Sequence, residues 1–143
     1  MQINYMLDKG AFEPLHGHAA DAGFDLRLPV IADEAYAFVS PGKSTIIDTG
    51  VHFEIPEGYV GFIKSKSGLN VKKGLQAEGV IDAGYTGSVV VKIYNHGDEE
   101  VRFYPGDKLT QIVFLPIPKV ELNKVDAFAE TERGDNGFGS TGR

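Results

Sequence analysis

The sequence predicts an all-β protein, folded as a β-sandwich or jelly roll. Three observations carry that expectation. Eighteen glycines and seven prolines are scattered so evenly that few stretches long enough for a helix escape one. Apolar residues alternate with polar ones at a period of two, as half-buried strands require: Val51, Phe53 and Ile55 interleave with His52 and Glu54, and Val89, Val91 and Ile93 with Val90 and Lys92. Turn signals fall between these runs, among them Pro56-Glu57-Gly58 and Asn95-His96-Gly97-Asp98.

In chain order the predicted strands are Gln2 to Leu7, Phe24 to Leu28, Ala35 to Val39, Ser44 to Ile47 and Val51 to Ile55. They continue with Tyr59 to Ser65, Ser88 to Tyr94, Glu100 to Phe103 and Lys108 to Pro116. A short helical turn is expected after Ser67. Lys119 to Glu132 lacks Gly and Pro and is read as strand. Between the strands lies Gly79 to Gly87, GVIDAGYTG, which reads as a hairpin tip carrying one acid, Asp82, and one tyrosine, Tyr85. Its glycines lack a Cβ, so the backbone there is expected to take positive φ and to admit a flat ligand close to its amides.

The length suits one β domain, residues 1–129. From about Glu130 the composition turns glycine-rich and polar, with Phe138 the single aromatic, so 130–143 is expected to be a flexible tail. Extended, that tail spans about 45 Å, against a radius of gyration of about 14 Å for a compact domain of this size. It is long enough to cross onto a neighbouring subunit. The chain has no cysteine, which excludes disulfides and thiolate chemistry. No apolar run suits a signal peptide or membrane span, and the chain is read as soluble and cytoplasmic, with no membrane partner. A net charge of -6 argues against nucleic-acid binding, which needs a basic face.

Several stretches have the composition of an anion site. Ser65-Lys66-Ser67-Gly68 offers hydroxyls, a cation and a glycine at one bend. In the tail, Gly137 to Gly142 matches the letters G-x-G-x-x-G, but the chain ends at Arg143, so no helix follows to hold a pyrophosphate. Its amides, Ser140, Thr141 and the flanking Arg133 and Arg143 can still wrap an oxyanion, and Phe138 can stack on a base. Asp25 stands at a strand start, and Gln111 is a polar residue on an otherwise apolar strand that needs a partner if buried. His16-Gly17-His18 has no third ligand nearby and reads as structural; His52 and His96 read as exposed.

Taken in order, AxDAGFDL, SKSGL, GVIDAGYTG, GDKLTQ and RGDNGFGSTG resemble the five motifs of the trimeric deoxyuridine triphosphatase (dUTPase) family and span Ala20 to Gly142. The resemblance implies a jelly-roll homotrimer with shared active sites that hydrolyses dUTP to dUMP and diphosphate with Mg2+, limiting uracil in DNA and supplying dUMP for thymidylate synthesis. By that similarity Asp82 activates a water that Gln111 also holds, and Asp25 acts on the hydrated metal through water. Lys66, Ser67 and Gly68 contact the phosphates, as do Arg133, Gly139, Ser140 and Thr141 from the tail. Tyr85 lies under the deoxyribose, the backbone from Gly79 to Ile81 reads uracil, and Phe138 covers the base.

The chain departs from the family pattern at Lys66, where arginine is usual, so a forked grip becomes a point charge. Thr86 likewise replaces a longer polar residue. The alternatives are a dCTP deaminase of the same fold, which by family resemblance would carry a glutamate near the hairpin, and a regulatory or binding protein that keeps the fold without the reaction. Asp82, Tyr85, Gln111 and the complete tail favour the triphosphatase.

Overall fold

The computed structural model describes residues 1–31, 36–137 and 139. Nine strands and one helix follow in the order β1 (Asn4–Leu7), β2 (Phe24–Arg27), β3 (Ala37–Val39), β4 (Ser44–Glu54), β5 (Tyr59–Lys64), α1 (Ser67–Lys73), β6 (Leu75–Ile81), β7 (Ser88–Asn95), β8 (Val101–Phe103) and β9 (Lys108–Pro116). Seven of them make one curled antiparallel sheet, ordered β1-β4-β7-β6-β5-β9-β2, and β3 pairs with β8. The all-β expectation therefore holds. No described helix is long and apolar enough to cross a membrane.

The period-two pattern sets what is buried. Along β7 the odd positions Val89, Val91 and Ile93 face the core, while Val90, Lys92 and Tyr94 face out. Leu26, Ile63, Leu109 and Ile112 from the β2-β5-β9 half meet Ile47, Val51, Phe53, Val89 and Val91 from the β1-β4-β7 half in one apolar cluster. Each such side chain contributes about 1.5–3 kcal/mol by leaving water.

β6 joins the two halves and was not among the predicted strands. Its first residues pair with β7, Leu75 opposite Asn95 and Ala77 opposite Ile93. From Glu78 onward it pairs with β5 instead, Glu78 opposite Lys64 and Ile81 opposite Gly61. The two arms of the expected hairpin thus part company above Ala77. β7 meanwhile pairs with β4 as far as Ser88.

Two further expectations need correction, and a third is borne out at greater length. Ser44 to Ile47 and Val51 to Ile55 are not separate strands: β4 runs through Gly50, because an irregularity absorbs the break. Asp48 pairs with Val90 and His52 with Ser88, so Thr49, Gly50 and Val51 oppose the single residue Val89. Thr49 Oγ1 donates to the Val89 carbonyl at 2.8 Å and keeps the two strands together there. The helical turn after Ser67 is a full seven-residue helix, ended by Gly74, whose N–H bonds the Asn70 carbonyl. Lys119 to Glu132 forms neither strand nor helix. A strand needs a ladder partner, and this segment finds none among the described residues; Leu122 is 96% and Phe128 91% exposed.

Candidate active site

Asp25, on β2, is buried to 2% of its free surface. Lys66 Nζ contacts one carboxylate oxygen and Lys108 Nζ contacts the other at 2.7 Å. Burial alone would push this carboxyl up; the hydrogen bonds from Lys108 and Lys66 and their positive charges reverse that and leave it below its ordinary value. Lys66 precedes the helix, half-buried, while Ser67 and Gly68 open the first turn and are exposed. A Cβ on Gly68 would meet open space.

Gln111 stands opposite Asp25 in the β2–β9 ladder and opposite Lys64 in β5–β9. Its Nε2 donates to the Ser65 carbonyl at 3.0 Å, so the partner its position demands is backbone. Its Oε1 packs against Gly23, where any Cβ would lie 2.3 Å away. Gly23 is held in turn by its carbonyl, 3.0 Å from His16 Nδ1, and His16 lies 3.8 Å from the Phe24 ring, centroid to centroid. Asp25, Lys66, Lys108 and Gln111 form one cluster. Lys108 was assigned no role from sequence.

The second cluster is the open end of the parted arms. Val80, Ile81, Asp82, Tyr85, Ser88 and Val90 line a recess of about 200 Å³. The turn closes through Tyr85 N–H to the Asp82 carbonyl at 3.2 Å, with Gly84 at a φ of 83° that side chains avoid. Gly84 alone of the hairpin glycines has positive φ. Gly87 serves a different purpose: a Cβ there would sit 2.4 Å from the Tyr85 hydroxyl, which donates to the Ser88 carbonyl at 3.0 Å. The Tyr85 ring is thereby oriented while 48% exposed. Gly79 pairs with Ile63 inside the ladder, and Asp82 is exposed.

No hydrogen bond or ion pair among the described residues joins the two clusters. The tail is locally bonded, Arg133 Nε to the Asn136 carbonyl at 3.0 Å and Gly134 N–H to Thr131 Oγ1 at 3.0 Å. Gly139 has a φ of 85°. Phe138, Ser140 and Thr141 lie outside the described residues.

Residues 12–142 match the dUTPase family model. The chain belongs to the dUTPase family. A deoxyuridine 5'-triphosphate nucleotidohydrolase from Clostridium tetani is 38% identical over 141 residues, covering 96% of this chain and 94% of that protein. Among solved structures, the dUTPase of Staphylococcus bacteriophage 80alpha with dUpNHpp superposes with a TM-score of 0.88 at 30% identity, covering 99% of both chains. A mutant dUTPase from phage phi11 of S. aureus, described with a structural Mg(II) ion, has a TM-score of 0.79 at 28% identity and covers 91% of this chain and 100% of its own.

For a dUTPase the donor set around Asp25 limits how a metal is held. Among the described residues no group of three or more His, Cys, Asp or Glu side chains is placed to bind one. Asp25 already faces an ammonium at each oxygen, so a direct bond to a metal would mean displacing a lysine. A metal near Asp25 would therefore meet the carboxylate through water more readily than by a direct bond.

Proposed function

We propose that this enzyme hydrolyses dUTP to dUMP and diphosphate, within a homotrimer whose sites are shared between subunits. The observation that carries the reading is the parting of β6 and β7, which opens a recess with one carboxylate, Asp82, and one oriented aromatic ring, Tyr85, at its mouth. Uracil enters between the arms against the backbone from Gly79 to Ile81, and the deoxyribose rests on Tyr85. Asp82 accepts a proton from the attacking water, which Gln111 helps to hold. The phosphorus–oxygen bond between the α and β phosphates breaks, and diphosphate leaves.

Lys66 and Lys108 bring positive charge to the phosphates, joined by Ser67, Gly68 and, from the tail, Arg133, Gly139, Ser140 and Thr141; Phe138 covers the base. Asp25 fixes the two lysines and meets Mg2+ through water. Mg2+, when bound with the nucleotide, supplies neutralisation of the triphosphate charge, which a protein of net charge -6 must achieve locally. Asp82 and Gln111 belong to clusters that no hydrogen bond or ion pair among the described residues joins within one chain, and a neighbouring copy in a trimer would unite them. Residues 1–129 form the β domain and 130–143 the tail that closes the site. In the cell the reaction would limit uracil in DNA and supply dUMP for thymidylate synthesis.

Incubation with dUTP, UTP, dTTP and dCTP plus Mg2+, following diphosphate and ammonia separately, tests the reading. Diphosphate from dUTP alone is expected. Ammonia from dCTP would make the protein a deaminase, and no product from any of the four would leave a binding protein.

A further inference from the structure

The irregularity in β4 places two side chains against the stem of the recess. Ser88 Oγ donates to Asp48 Oδ1, which also accepts the Gly50 N–H at 3.0 Å. Four residues on, His52 reaches across to the hairpin: its Nδ1 lies 2.8 Å from the carbonyl oxygen of Thr86, the residue next to Tyr85. On its other side Nε2 lies 3.1 Å from Asp8 Oδ1, in an ion pair rather than an aligned hydrogen bond, and is shut off from solvent. Both ring nitrogens therefore face oxygens that only accept. A neutral imidazole carries one N–H, and the imidazolium carries two.

The surroundings favour the charged ring. The hydrogen bond to the Thr86 carbonyl comes first, the neighbouring Asp8 carboxylate next and Asp48 last, and together they hold His52 above its ordinary value of 6.5 against the opposing effect of burial. The charged groups facing it are Asp8, beyond β1, and Asp48, on β4 itself. Glu54 is turned to Asn4, and Met6 is the β1 residue opposite His52. Among the described residues the hairpin's hydrogen-bonding partner for the ring is the Thr86 carbonyl.

We propose that His52 is a positioning residue for the nucleotide site: by gripping the Thr86 carbonyl it fixes the turn that carries Asp82 and Tyr85, and the grip is firmest when the ring is protonated. This rests on the functional reading above, since it presumes that dUTP is bound on that turn. His52 touches no substrate. Its effect is on how often the recess is found in its binding shape, so it acts on KM more than on kcat.

Steady-state kinetics on dUTP between pH 6 and 8.5, with a thermal melt of each protein, test this. In His52→Leu the KM is expected to rise about fivefold to tenfold below pH 6.5, the net worth of one typical hydrogen bond, with kcat within about twofold and Tm close to wild type. The KM ratio to wild type should narrow toward pH 8.5, because the wild-type grip is complete below pH 6.5 and weakens as pH rises through the raised folded-state value. His52→Asn, which keeps an amide donor near the place of Nδ1, should recover most of the affinity and lose its pH dependence. A KM in His52→Leu equal to wild type, a ratio flat with pH, or an equal KM rise in both variants with a lowered Tm overturns the proposal. Absence of dUTP turnover in the wild type overturns the functional reading, and the inference with it.

Discussion

Gln111 Oε1 occupies the space that a side chain at Gly23 would fill, 2.3 Å from the position of its Cβ. The glycine of the first motif and the glutamine of the fourth are thus two halves of one contact across the β2–β9 ladder. Gly23→Ala is expected to push Gln111 off the Ser65 carbonyl, costing about 1–3 kcal/mol of stability by overpacking. Because the displaced side chain is the one proposed to hold water, kcat on dUTP should fall more than KM changes. A melt and a kinetic run on the same preparation check both.

The pair of lysines on Asp25 makes stability depend on acid. With its folded-state value below the ordinary 3.8, the carboxylate contributes stability that is fully present above about pH 4 and is lost as pH falls through the lowered value. In Asp25→Asn this stabilisation is absent, and Lys66 and Lys108 are left with like charge across a neutral amide. The variant is expected to be less stable at neutral pH by about 2 kcal/mol, below the range for a fully buried pair because both lysines are partly solvated. Its Tm should therefore vary less than wild type between about pH 5 and pH 2. Parallel acid melts decide it.

Asp82→Asn should fold and bind dUMP as wild type does while turning over dUTP at least about 10²-fold more slowly, the contribution of a general base. Isothermal titration with dUMP alongside kinetics separates loss of binding from loss of chemistry. Near-normal turnover would remove Asp82 from the reaction.

Tyr85 is held by its hydroxyl to the Ser88 carbonyl, which keeps the ring in one orientation. If that ring packs on C2′ of the sugar, UTP is a poor substrate because its extra hydroxyl loses water partners. Tyr85→Ala should narrow the dUTP-to-UTP ratio of kcat/KM. An unchanged ratio would put sugar selection elsewhere.

The separation of Asp82 from the Asp25–Gln111 cluster and the unpartnered segment before the tail lead to a complementation experiment. Asp82→Asn protein and protein truncated after Thr131 should each be nearly inactive. Unfolded together in equal amounts and refolded, they should recover about a quarter of wild-type activity, the fraction of shared sites that draw an intact Asp82 from one chain and an intact tail from another. Mixed trimers that recover nothing would mean that each tail serves its own subunit.

Legibility in the sequence followed the range of the interactions concerned. Asp82, Tyr85 and Gln111 stood out because a polar residue among glycines or on an apolar strand is conspicuous within a few positions. β6 was passed over although Leu75 and Ala77 alternate with Gln76 and Glu78, because Gly79 and two polar side chains diluted the apolar signal in so short a run. The sequence separates Ser44 to Ile47 from Val51 to Ile55, and the Thr49 side-chain bond that holds β4 to β7 between them reaches forty residues along the chain. Lys108 was missed for the same reason: a lysine at a strand start is ordinarily solvated, and only the β2–β9 register brings it to Asp25. The strand expected over Lys119 to Glu132 failed because propensity cannot supply a ladder partner.

The exchange of partners by β6 at Ala77 and Glu78 has a consequence for redesign. The recess is propped open by main-chain ladders running to two different neighbours, so it does not rely on the bulk of its lining side chains to keep its walls apart. Val80, exposed and outside the core cluster, can therefore be exchanged for residues of other size and polarity without collapsing the cavity, in the way that furniture can be changed in a room whose walls stand by themselves. If the base is read by the backbone from Gly79 to Ile81, as proposed, the preference for dUTP should survive such exchanges, and turnover of the four nucleotides across a library at Val80 measures it.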